Sequence, residues 1–558
     1  MMVPHDEDAG EALLGGDRRG HLVREALPAF LLRQRWFAGK ALALESVRLV
    51  DHTPPGACCG ETFLVLIEAI APGGKADLYF LPLGVAAGPV AERLLREAPG
   101  RVIVHWPEAD GTGILYDALA DPAACEEILA TIEEGRSIAT ASGRIRGIPT
   151  GAYSAARGPA EIPLPVVYGT VEQSNSAVLY GDRLILKVFR RIEPGLNPDF
   201  EIGRFLSERT DFDRIPQAAG AIVYERPGAE PATLGILQGL VQNQGTGWDH
   251  ALRELRGYYE EVGRRPAGMI PIQGGSLLEA ASGEPPPVAT ETMGGYLKAA
   301  ATLGRRTAEL HLALASDERD PDFAPEPLSG ADVAAMEGEI REQVEKTIAA
   351  LRINLDRLPD AIGAQARRAI GAAGGLLRRL DELRGSSFQA AKIRCHGDYH
   401  LGQVLRTEDD FVILDFEGEP ARPLAWRRRK QSPLKDVVGM LRSFDYAAFA
   451  ALFKCAEDRP DDLERLVPWA RAWQTWTSAA FLRAYLATVA GASLLPDDPA
   501  GFAALLRAFT LDKALYELLY ELNNRPAWVR IPLQGVLALI EDERSGDPTR
   551  PDSDPACI

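Results

Sequence analysis

The stretch at residues 395–420 (CHGDYHLGQVLRTEDDFVILDFEGEP) constrains the fold of this chain more than any other segment. It places His396 and Asp398 in an H-x-D pattern, with Gln403 five residues after that Asp and Asp415 at the end of an apolar run. Phosphoryl transfer from ATP needs such a set, because a carboxylate must orient and deprotonate the attacking hydroxyl while oxygen ligands hold magnesium on the phosphates. We therefore predict a catalytic loop with Asp398 and His396, and with Gln403 and Asp415 as Mg²⁺ ligands.

Two short apolar runs, at 404–405 and 411–414, are joined by a turn-like TEDD sequence and predict a β-hairpin. The hairpin would carry Gln403 and Asp415 on adjacent strands, where both reach one metal ion. An isolated H-x-D is common, and an Asp after a strand is usually a turn residue. The catalytic interpretation is favoured because all four residue types occur together.

Length and composition limit the classes of protein to consider. A chain of 558 residues is long enough for more than one domain. Its 61 basic and 79 acidic side chains give a net charge of −18, which argues against a nucleic-acid partner. Six scattered cysteines without a C-x-x-C pair, no secretion signal and no apolar stretch that could cross a bilayer predict a cytoplasmic protein without disulfides, zinc or a membrane partner.

Hydrophobic periodicity divides the chain into five parts. We predict a disordered leader at 1–20, a small α+β domain at 21–150, a β-rich lobe at 151–247, a helical lobe at 248–542 and a disordered tail at 543–558. A β-rich lobe followed by a helical lobe that carries the catalytic loop is the two-lobed plan of protein-kinase-like phosphotransferases. The predicted fold class is therefore α+β.

Short strands separated by turns rich in Pro and Gly dominate the first 250 residues of the sequence. We predict helices at 21–35, over 113–136 and at 198–208. The predicted strands are 45–51, 62–69, 77–83, 166–171, 177–180, 184–189, 220–225 and 233–241.

One strand of the β-rich lobe carries a charge within an apolar run. Lys187 lies in LILKVF, and Glu201 follows fourteen residues later on the predicted helix. Kinases hold the phosphates of ATP with a strand lysine that is paired to a helix glutamate. Lys187 alone is equally compatible with an edge-strand lysine whose ammonium is in solvent. Together with Glu201 and the downstream motif, it predicts a nucleotide site.

The loop of Gln173, Ser174, Asn175 and Ser176 stands where kinases place a glycine-rich cover over the phosphates, although it departs from the G-x-G-x-x-G pattern. Its small hydroxyl and amide residues are able to offer backbone N–H groups and side-chain donors to phosphate oxygens. The same residue types also favour a plain hairpin turn. We predict that these four residues contact the nucleotide.

Segments throughout the chain resemble the bacterial maltokinases. They are RWFAGK at 35–40, EQSNSAVLYGDRLILKVFR at 172–190, LGRRTAELH at 303–311, HGDYHLGQVL at 396–405, DFEGEPARPL at 415–424, SPLKDVVGMLRSFDYAA at 432–448 and ALYELLYELNNRPAWVRIPL at 514–533. DFEGEPARPL is the most specific, because related aminoglycoside and choline kinases keep the metal-binding Asp but not the Glu-Gly-Glu-Pro that follows.

The resemblance implies a two-lobed, aminoglycoside-phosphotransferase-like fold with an N-terminal α+β cap domain. It also implies ATP- and Mg²⁺-dependent phosphorylation of the anomeric hydroxyl of maltose, upstream of glycogen-type α-glucan synthesis and often beside a trehalose synthase partner. Related enzymes phosphorylate glucosamine, so a kinase for glucosamine or glucose is the first alternative. A catalytically silent scaffold for trehalose synthase is the second, and the intact Lys187, Asp398, Gln403 and Asp415 argue against it.

A sugar acceptor requires polar groups for its hydroxyls and aromatic faces for its rings. The predicted acceptor residues are His400, Glu417, Glu419, Arg422, Tyr516 and Tyr520. The position of His400 is equally compatible with a structural role, in which its side chain supports the catalytic loop and does not contact the sugar. Trp473, Trp476 and Tyr485 form another candidate set, but an aromatic stripe on a helix more often packs into the core.

Two charged features near the motif are predicted to have structural roles. The basic run at 427–430 would be a solvated loop. Ser432 and the Pro after it favour a helix start. On that helix, Asp436 and Arg442 would brace the catalytic loop.

Overall fold

The computed structural model describes residues 16–546 with interruptions. The residues within that range that lie outside the description are 38–43, 55, 58–60, 109–110, 169–174, 266–275, 382 and 384–387. Most of the predicted leader and tail therefore lies outside the described residues. Helices Gly16–His21 and Arg530–Gly546 reach into both segments, so the prediction of disorder is wrong for 16–20 and 543–546.

The chain forms two compact units. The first unit comprises Met1–Gln242 and Pro420–Arg428, and the second comprises Asn243–Glu419 and Arg429–Ile558. The predicted domain at 21–150 and all but residues 243–247 of the predicted β-rich lobe thus fall within the first unit. The second unit begins close to the predicted start of the helical lobe.

The first sheet of the first unit has the strand order β1-β2-β3-β5-β4, with β11 beside β3. Its strands are β1 (Ser46–His52), β2 (Thr62–Ile70), β3 (Ala76–Ala87), β4 (Val102–Glu108), β5 (Gly111–Asp117) and β11 (Arg191–Ile192). Val47 and Leu49 alternate with more exposed neighbours on β1, as expected for a strand with one face on a core. Leu27 and Phe30 are fully buried in the same core.

Helices of the first unit cover parts of both of its sheets. They are Gly16–His21, the π-helical turn Leu22–Ala26, Leu27–Arg33, Gly88–Glu97, Pro122–Glu133, Tyr153–Arg157, Pro198–Arg209 and Leu424–Arg427. The predicted helices over 113–136 are wrong at their start, because Gly111–Asp117 is a strand that pairs with β3 and β4. The helix begins only after Asp121, whose carboxylate accepts a hydrogen bond from the Ala123 N–H.

The second sheet has seven strands in the order β6-β7-β12-β13-β10-β9-β8. Its strands are β6 (Ser137–Ala139), β7 (Arg144–Pro149), β8 (Val166–Tyr168), β9 (Asn175–Tyr180), β10 (Leu184–Phe189), β12 (Ala218–Glu225) and β13 (Ala232–Gly239). The predicted boundary at 150 cuts this sheet, because β6 and β7 belong to it. Strand β10 lies between β9 and β13, so the edge-strand interpretation of Lys187 is wrong.

The second unit is mainly helical. Its longer helices are Gly247–Val262, Pro287–Leu314, Gly330–Asn354, Asp360–Asp381, Leu434–Asp458, Leu463–Val489, Pro499–Asn524 and Arg530–Gly546. A short helix covers Leu277–Ser282, and strands β14 (Glu326–Pro327) and β15 (Ala391–Lys392) form a small sheet. Among the described residues, no helix is both long and apolar enough to span a bilayer.

The predicted hairpin is confirmed. Strands β16 (Val404–Arg406) and β17 (Phe411–Ile413) pair antiparallel, with Val404 opposite Ile413. The helical core lies nearby in the same unit. Trp473 is fully buried with its ring 4.8 Å from that of Tyr296, and Tyr485 is fully buried as well, so both belong to the core.

Candidate active site

The backbone of the catalytic loop is held by one carboxylate from the helix Leu434–Asp458. Asp436 accepts hydrogen bonds from the N–H of His396 at 2.7 Å and of Gly397 at 2.9 Å. Gly397 has φ of 85°, and a Cβ at this position would lie 3.3 Å from the Cα of Gly418. Only glycine fits this positive φ and close backbone approach without strain. Asp436 therefore braces the loop, as its place in the sequence predicted.

The side chain of His396 also serves the loop. Its Nε2 lies 3.0 Å from the carbonyl oxygen of Leu414, and its Nδ1 lies 3.4 Å from the N–H of Asp398. With Nε2 as the donor, the imidazole connects the loop to the residue before Asp415. His396 thus accepts from the N–H of Asp398 on one ring nitrogen and contacts the Leu414 carbonyl with the other.

A lysine from a distant helix joins the catalytic loop. Lys513, on the helix Pro499–Asn524, places its Nζ 3.3 Å from Asp398 Oδ1 and 3.3 Å from Glu419 Oε1. Sequence reasoning missed Lys513, because it lies 115 residues after Asp398 and no local pattern links the two.

The charges of this cluster stabilise one another. Burial raises the pKa of Asp398, but the positive charge beside it, above all the Lys513 ammonium, more than offsets that effect, so the pKa lies below the usual aspartate value. Burial lowers the pKa of Lys513, but Asp398 and Glu419 raise it above its ordinary value. At neutral pH, Asp398 is therefore a carboxylate and Lys513 an ammonium.

The predicted metal ligands converge. Gln403 ends the 3₁₀ turn Leu401–Gln403 before β16, and its Nε2 lies 2.8 Å from Asp415 Oδ2. Among the residues the structure describes, Asp415 is the only non-glycine residue with positive φ, at 70°. Such a backbone conformation is costly and is typical of functional sites. The amide and carboxylate oxygens are the hard ligands that Mg²⁺ prefers, so this donor set fits the ion.

His400 stabilises the turn that carries Gln403. Its Nδ1 accepts a hydrogen bond of 3.0 Å from the N–H of Gly402. Burial lowers the pKa of His400 below its ordinary value. A neutral imidazole with an accepting Nδ1 is the form this contact requires. The structure therefore gives His400 the role of a strut, and its predicted sugar contact stays a prediction.

The other predicted acceptor residues are not all brought together. Glu419 is buried in the Lys513 cluster, and the Lys513 Nζ lies 5.0 Å from the ring centre of Tyr516. Tyr520 is 45% exposed, and its ring lies beside the Arg525 guanidinium instead. The structure thus groups Glu419 and Tyr516 with Asp398 but does not show Tyr520 there.

Two further predicted acceptor residues occupy different units. Glu417 is half-buried in the second unit. Arg422 lies in 420–428, which belongs to the first unit, and its guanidinium stacks on Trp426 at 4.6 Å. Contact of either residue with a sugar stays a prediction.

Lys187 pairs with a carboxylate that the sequence analysis did not name. Its Nζ lies 3.3 Å from Oδ2 of Asp199, which is 1% exposed. Glu201, the predicted partner, accepts two hydrogen bonds from Arg428, at 3.1 and 2.7 Å, and its pairing with Lys187 stays a prediction. The two acidic residues are two positions apart on the helix Pro198–Arg209, so they point to different sides of it.

The predicted phosphate-contacting loop is only partly described. Gln173 and Ser174 lie outside the described residues, and Asn175 is half-buried at the start of β9. Ser176 is 1% exposed, and its Oγ accepts a 2.8 Å hydrogen bond from Arg190 Nε. The hydroxyl of Ser176 is therefore engaged by Arg190, and contact of Ser176 with the nucleotide stays a prediction.

The basic run at 427–430 is not a solvated loop. Arg427 is buried and pairs with Glu193 at 2.6 Å, and Arg428 holds Glu201 as described above. Lys430 pairs with Glu326 at 2.9 Å. Local sequence could not reveal these partners, because all of them come from distant parts of the chain.

Comparison with known proteins supports the predicted fold class with an N-terminal cap domain. Residues 30–121 match the family model described as the maltokinase N-terminal cap domain. The chain is 28% identical over 368 residues to a glucosamine kinase of Streptacidiphilus jiangxiensis, covering 65% of this chain and 70% of that protein. It is 25% identical over 380 residues to a glucosamine kinase of Mycolicibacterium smegmatis, covering 67% and 80%.

Solved structures of glucosamine kinase share the fold. One, in complex with glucosamine, ADP and inorganic phosphate, superposes with a TM-score of 0.59 at 22% identity, covering 93% of this chain and 98% of that one. A second crystal form gives a TM-score of 0.61 over 93% and 99%. The chain therefore has the predicted α+β, aminoglycoside-phosphotransferase-like kinase fold with an N-terminal cap domain.

Proposed function

We propose that this protein is an ATP-dependent sugar kinase that transfers the γ-phosphoryl group to the anomeric hydroxyl of maltose and forms maltose 1-phosphate. The observation that carries the proposal is the catalytic loop. In this loop Asp398 is an ionised carboxylate whose side chain pairs with Lys513. His396 and Asp436 accept hydrogen bonds from backbone N–H groups of the loop and so hold Asp398 in place. A carboxylate in this setting is suited to orient a hydroxyl for phosphoryl transfer.

The lowered pKa of Asp398 fits a phosphoryl transfer. The transition state of this reaction is loose, so the attacking hydroxyl loses its proton late and needs little help from a strong base. Asp398 therefore acts mainly by holding the C1 hydroxyl in line with the phosphorus, and it accepts the proton as the new O–P bond forms. Lys513 keeps Asp398 ionised and holds Glu419 beside it.

The remaining roles concern the phosphates of ATP. Gln403 and Asp415 would hold Mg²⁺, which neutralises the charge that develops on the phosphate oxygens when it is bound. Lys187, held in place by Asp199, would bind the α- and β-phosphates. In our proposal Glu201 acts indirectly, because its carboxylate is engaged by Arg428.

Maltose is the proposed acceptor because the segments around Asp415 and Lys513 resemble maltokinases and because residues 30–121 match the maltokinase cap. Glucosamine is the second candidate, and the names of the similar proteins favour it. Synthesis of an α-glucan from maltose 1-phosphate, with a trehalose synthase as the supplier of maltose, is the proposed metabolic setting.

The test is ATP turnover with maltose, glucosamine, glucose and trehalose, with NMR of the product and the Asp398→Asn variant in parallel. We expect maltose-dependent ADP release, an anomeric phosphate, and a loss on the order of 10²–10⁴-fold in kcat for the variant. Turnover with glucosamine alone would replace the acceptor and keep the mechanism. A protein that binds trehalose synthase but turns over none of the four sugars would contradict the kinase proposal.

A further inference from the structure

A buried charge network links the cap domain to the nucleotide-binding sheet. Its centre is Asp117, at the end of β5, whose side chain is fully buried. One oxygen, Oδ2, lies 3.1 Å from Arg101 Nη1 and 2.5 Å from Arg190 Nη2. Arg101 and Asp117 lie within the region that matches the cap model. A carboxylate in this dry setting is tolerated only because two guanidinium groups compensate its charge.

The two arginines reach two neighbouring strands of the second sheet. Arg101 lies over the ring of Tyr168, the last residue of β8, at 4.4 Å. Arg190 donates from Nε to Ser176 Oγ near the start of β9, at 2.8 Å. Strands β8 and β9 pair with each other in the sheet that contains Lys187. One cap carboxylate thus controls the position of both strand ends.

The same network holds the strand of Lys187. Arg190 follows the end of β10 directly, and its carbonyl oxygen accepts a 2.8 Å hydrogen bond from the N–H of Phe80 in the cap sheet. The next two residues form β11, which pairs with β3. The strand that carries Lys187 therefore continues into the cap sheet, and Arg190 is the residue at the junction.

We infer that Asp117 is a positioning residue for nucleotide binding, through which the cap domain sets the affinity of the sheet for ATP. The inference rests on the proposed function, because it takes Lys187 as a phosphate ligand. Asp117 does not touch the nucleotide. It fixes Arg190 and Arg101, and these residues hold β8, β9 and the end of β10 in the arrangement that binds phosphate. Such pre-organisation raises the affinity for nucleotide, because less conformational entropy is lost on binding.

The test measures binding of MgADP and MgATP to the full-length protein by calorimetry, together with kinetics in ATP and in the sugar. Asp117→Asn leaves two guanidinium groups without their carboxylate. We expect the dissociation constant of the nucleotide to rise about tenfold, which corresponds to about 1.4 kcal/mol. The KM for the sugar should change less than about twofold, because the network contacts described above lie within the first unit and the catalytic loop belongs to the second.

Asp51→Asn is the matched control. Asp51 is also a buried cap carboxylate, 2% exposed, and it accepts hydrogen bonds from Thr140 at 2.6 Å and Tyr224 at 2.7 Å. These partners lie outside β8, β9 and β10. A general loss of cap stability would weaken nucleotide binding equally in both variants and would overturn the inference. Nucleotide affinity in folded Asp117→Asn within about twofold of wild type would overturn it as well.

A milder variant covers the case in which Asp117→Asn does not fold. Arg190→Lys keeps a cation for Asp117 but cannot also donate to Ser176 in the same geometry. We expect weaker nucleotide binding with an unchanged KM for the sugar, and unchanged nucleotide binding would overturn the inference. A wild-type protein that bound no nucleotide would instead contradict the proposed function itself, and the two failures are thereby distinguished.

Discussion

At the scale of single residues, the feature that most shapes the site is one ammonium shared by two carboxylates. Lys513 lies 3.3 Å from both Asp398 and Glu419. Without it, two negative charges would face each other in a partly buried setting, and each would favour protonation of the other. The ionised form of Asp398, which the proposed catalytic role requires, is therefore stabilised by a residue from the helix Pro499–Asn524.

We expect Lys513→Met to lower kcat and to move the acidic limb of its pH profile to higher pH. The sign follows from the pKa of Asp398, which Lys513 holds below the usual value, so removal of the ammonium raises it. The measurement is kcat and kcat/KM from about pH 4 to 9. Lys454→Met, which removes an exposed partner of Glu457, should leave the profile unchanged. An acidic limb that stays in place would contradict the role of Lys513.

Asp415 has both a negative charge and a left-handed backbone conformation, and a substitution can remove the charge while it keeps the conformation. Asparagine tolerates positive φ, so Asp415→Asn should keep the stability close to that of the wild type. Loss of the charge should raise the Mg²⁺ concentration for half-maximal activity by more than about tenfold, or about 1.4 kcal/mol. Activity is titrated with Mg²⁺ beside Asp409→Asn, an exposed change in the same hairpin. Equal Mg²⁺ requirements would rule Asp415 out as a ligand.

Site residues were predictable from the sequence where they belong to a motif, but not where their role depends on a tertiary contact. His396, Asp398, Gln403 and Asp415 stand in a characteristic order, and the structure brings Gln403 and Asp415 within 2.8 Å. Lys513 carries no such signal, because its partners lie about a hundred residues away in sequence. The partner of Lys187 depended on which side of a helix faces β10, and sequence spacing alone does not determine that.

At the scale of elements, the helix Leu434–Asp458 supports the catalytic loop through its first turn. Asp436 on this helix also contacts His311 at 3.2 Å. Burial raises the pKa of Asp436, but His311, His396 and the Gly397 N–H more than offset this and lower it below the usual value. The folded state therefore prefers the ionised form.

We expect Asp436→Asn to lower the free energy of unfolding by about 3–5 kcal/mol at pH 7. Because the folded pKa is lowered, the contribution of Asp436 is present above its unfolded value of about 3.9 and is lost as the pH falls through the folded value. Urea unfolding at pH 7 and near pH 3 should therefore show a difference between variant and wild type that shrinks in acid. Asp497→Asn is the exposed control, and a difference independent of pH would contradict the assignment.

Two helices of the second unit pack so closely that one glycine is required. A Cβ on Gly304, in the helix Pro287–Leu314, would lie 2.1 Å from the carbonyl oxygen of Phe481 on the helix Leu463–Val489. Gly304→Ala should therefore destabilise the protein by about 1–3 kcal/mol. Gly295→Ala on the same helix meets no atom within 4 Å and should stabilise it by up to about 1 kcal/mol. Chemical denaturation of both variants tests this pair, and equal effects would contradict the packing argument.

Strands were predictable where a short run rich in apolar and β-branched residues lies between turn signals, as in β1, β2 and β10. The predicted helical range 113–136 overlaps the strand Gly111–Asp117, because the short apolar run of this strand fits a buried strand and a helix equally well. Pairing with β3 and β4 decided the outcome, and pairing partners cannot be identified from a single segment. The boundary at 150 failed for the same reason, since β6 and β7 join a sheet whose other strands follow later.

At the scale of the whole molecule, the first unit is not a continuous piece of the chain. Residues 420–428 return to it from the middle of the sequence. They bring Arg427 to Glu193 and Arg428 to Glu201, and the N–H of Leu424 also donates to Glu193 at 3.1 Å. A fragment that ends at Gln242 therefore loses the contact of Glu193 with Arg427 and the contact of Glu201 with Arg428.

This discontinuity predicts how fragments behave. A fragment 1–242 should unfold at a lower temperature than the same fragment with residues 420–428 attached through a flexible Gly-Ser linker, because tethering replaces the missing partners at high effective concentration. The control fusion carries Arg427→Ala and Arg428→Ala. It should lose most of the rise in unfolding temperature, since breaking a buried ion pair destabilises a protein more than breaking an exposed ion pair. Thermal unfolding by circular dichroism measures all three. If the unfolding temperature rises equally in both fusions, contacts other than these ion pairs hold the segment. If it rises in neither, residues 420–428 do not stabilise the first unit.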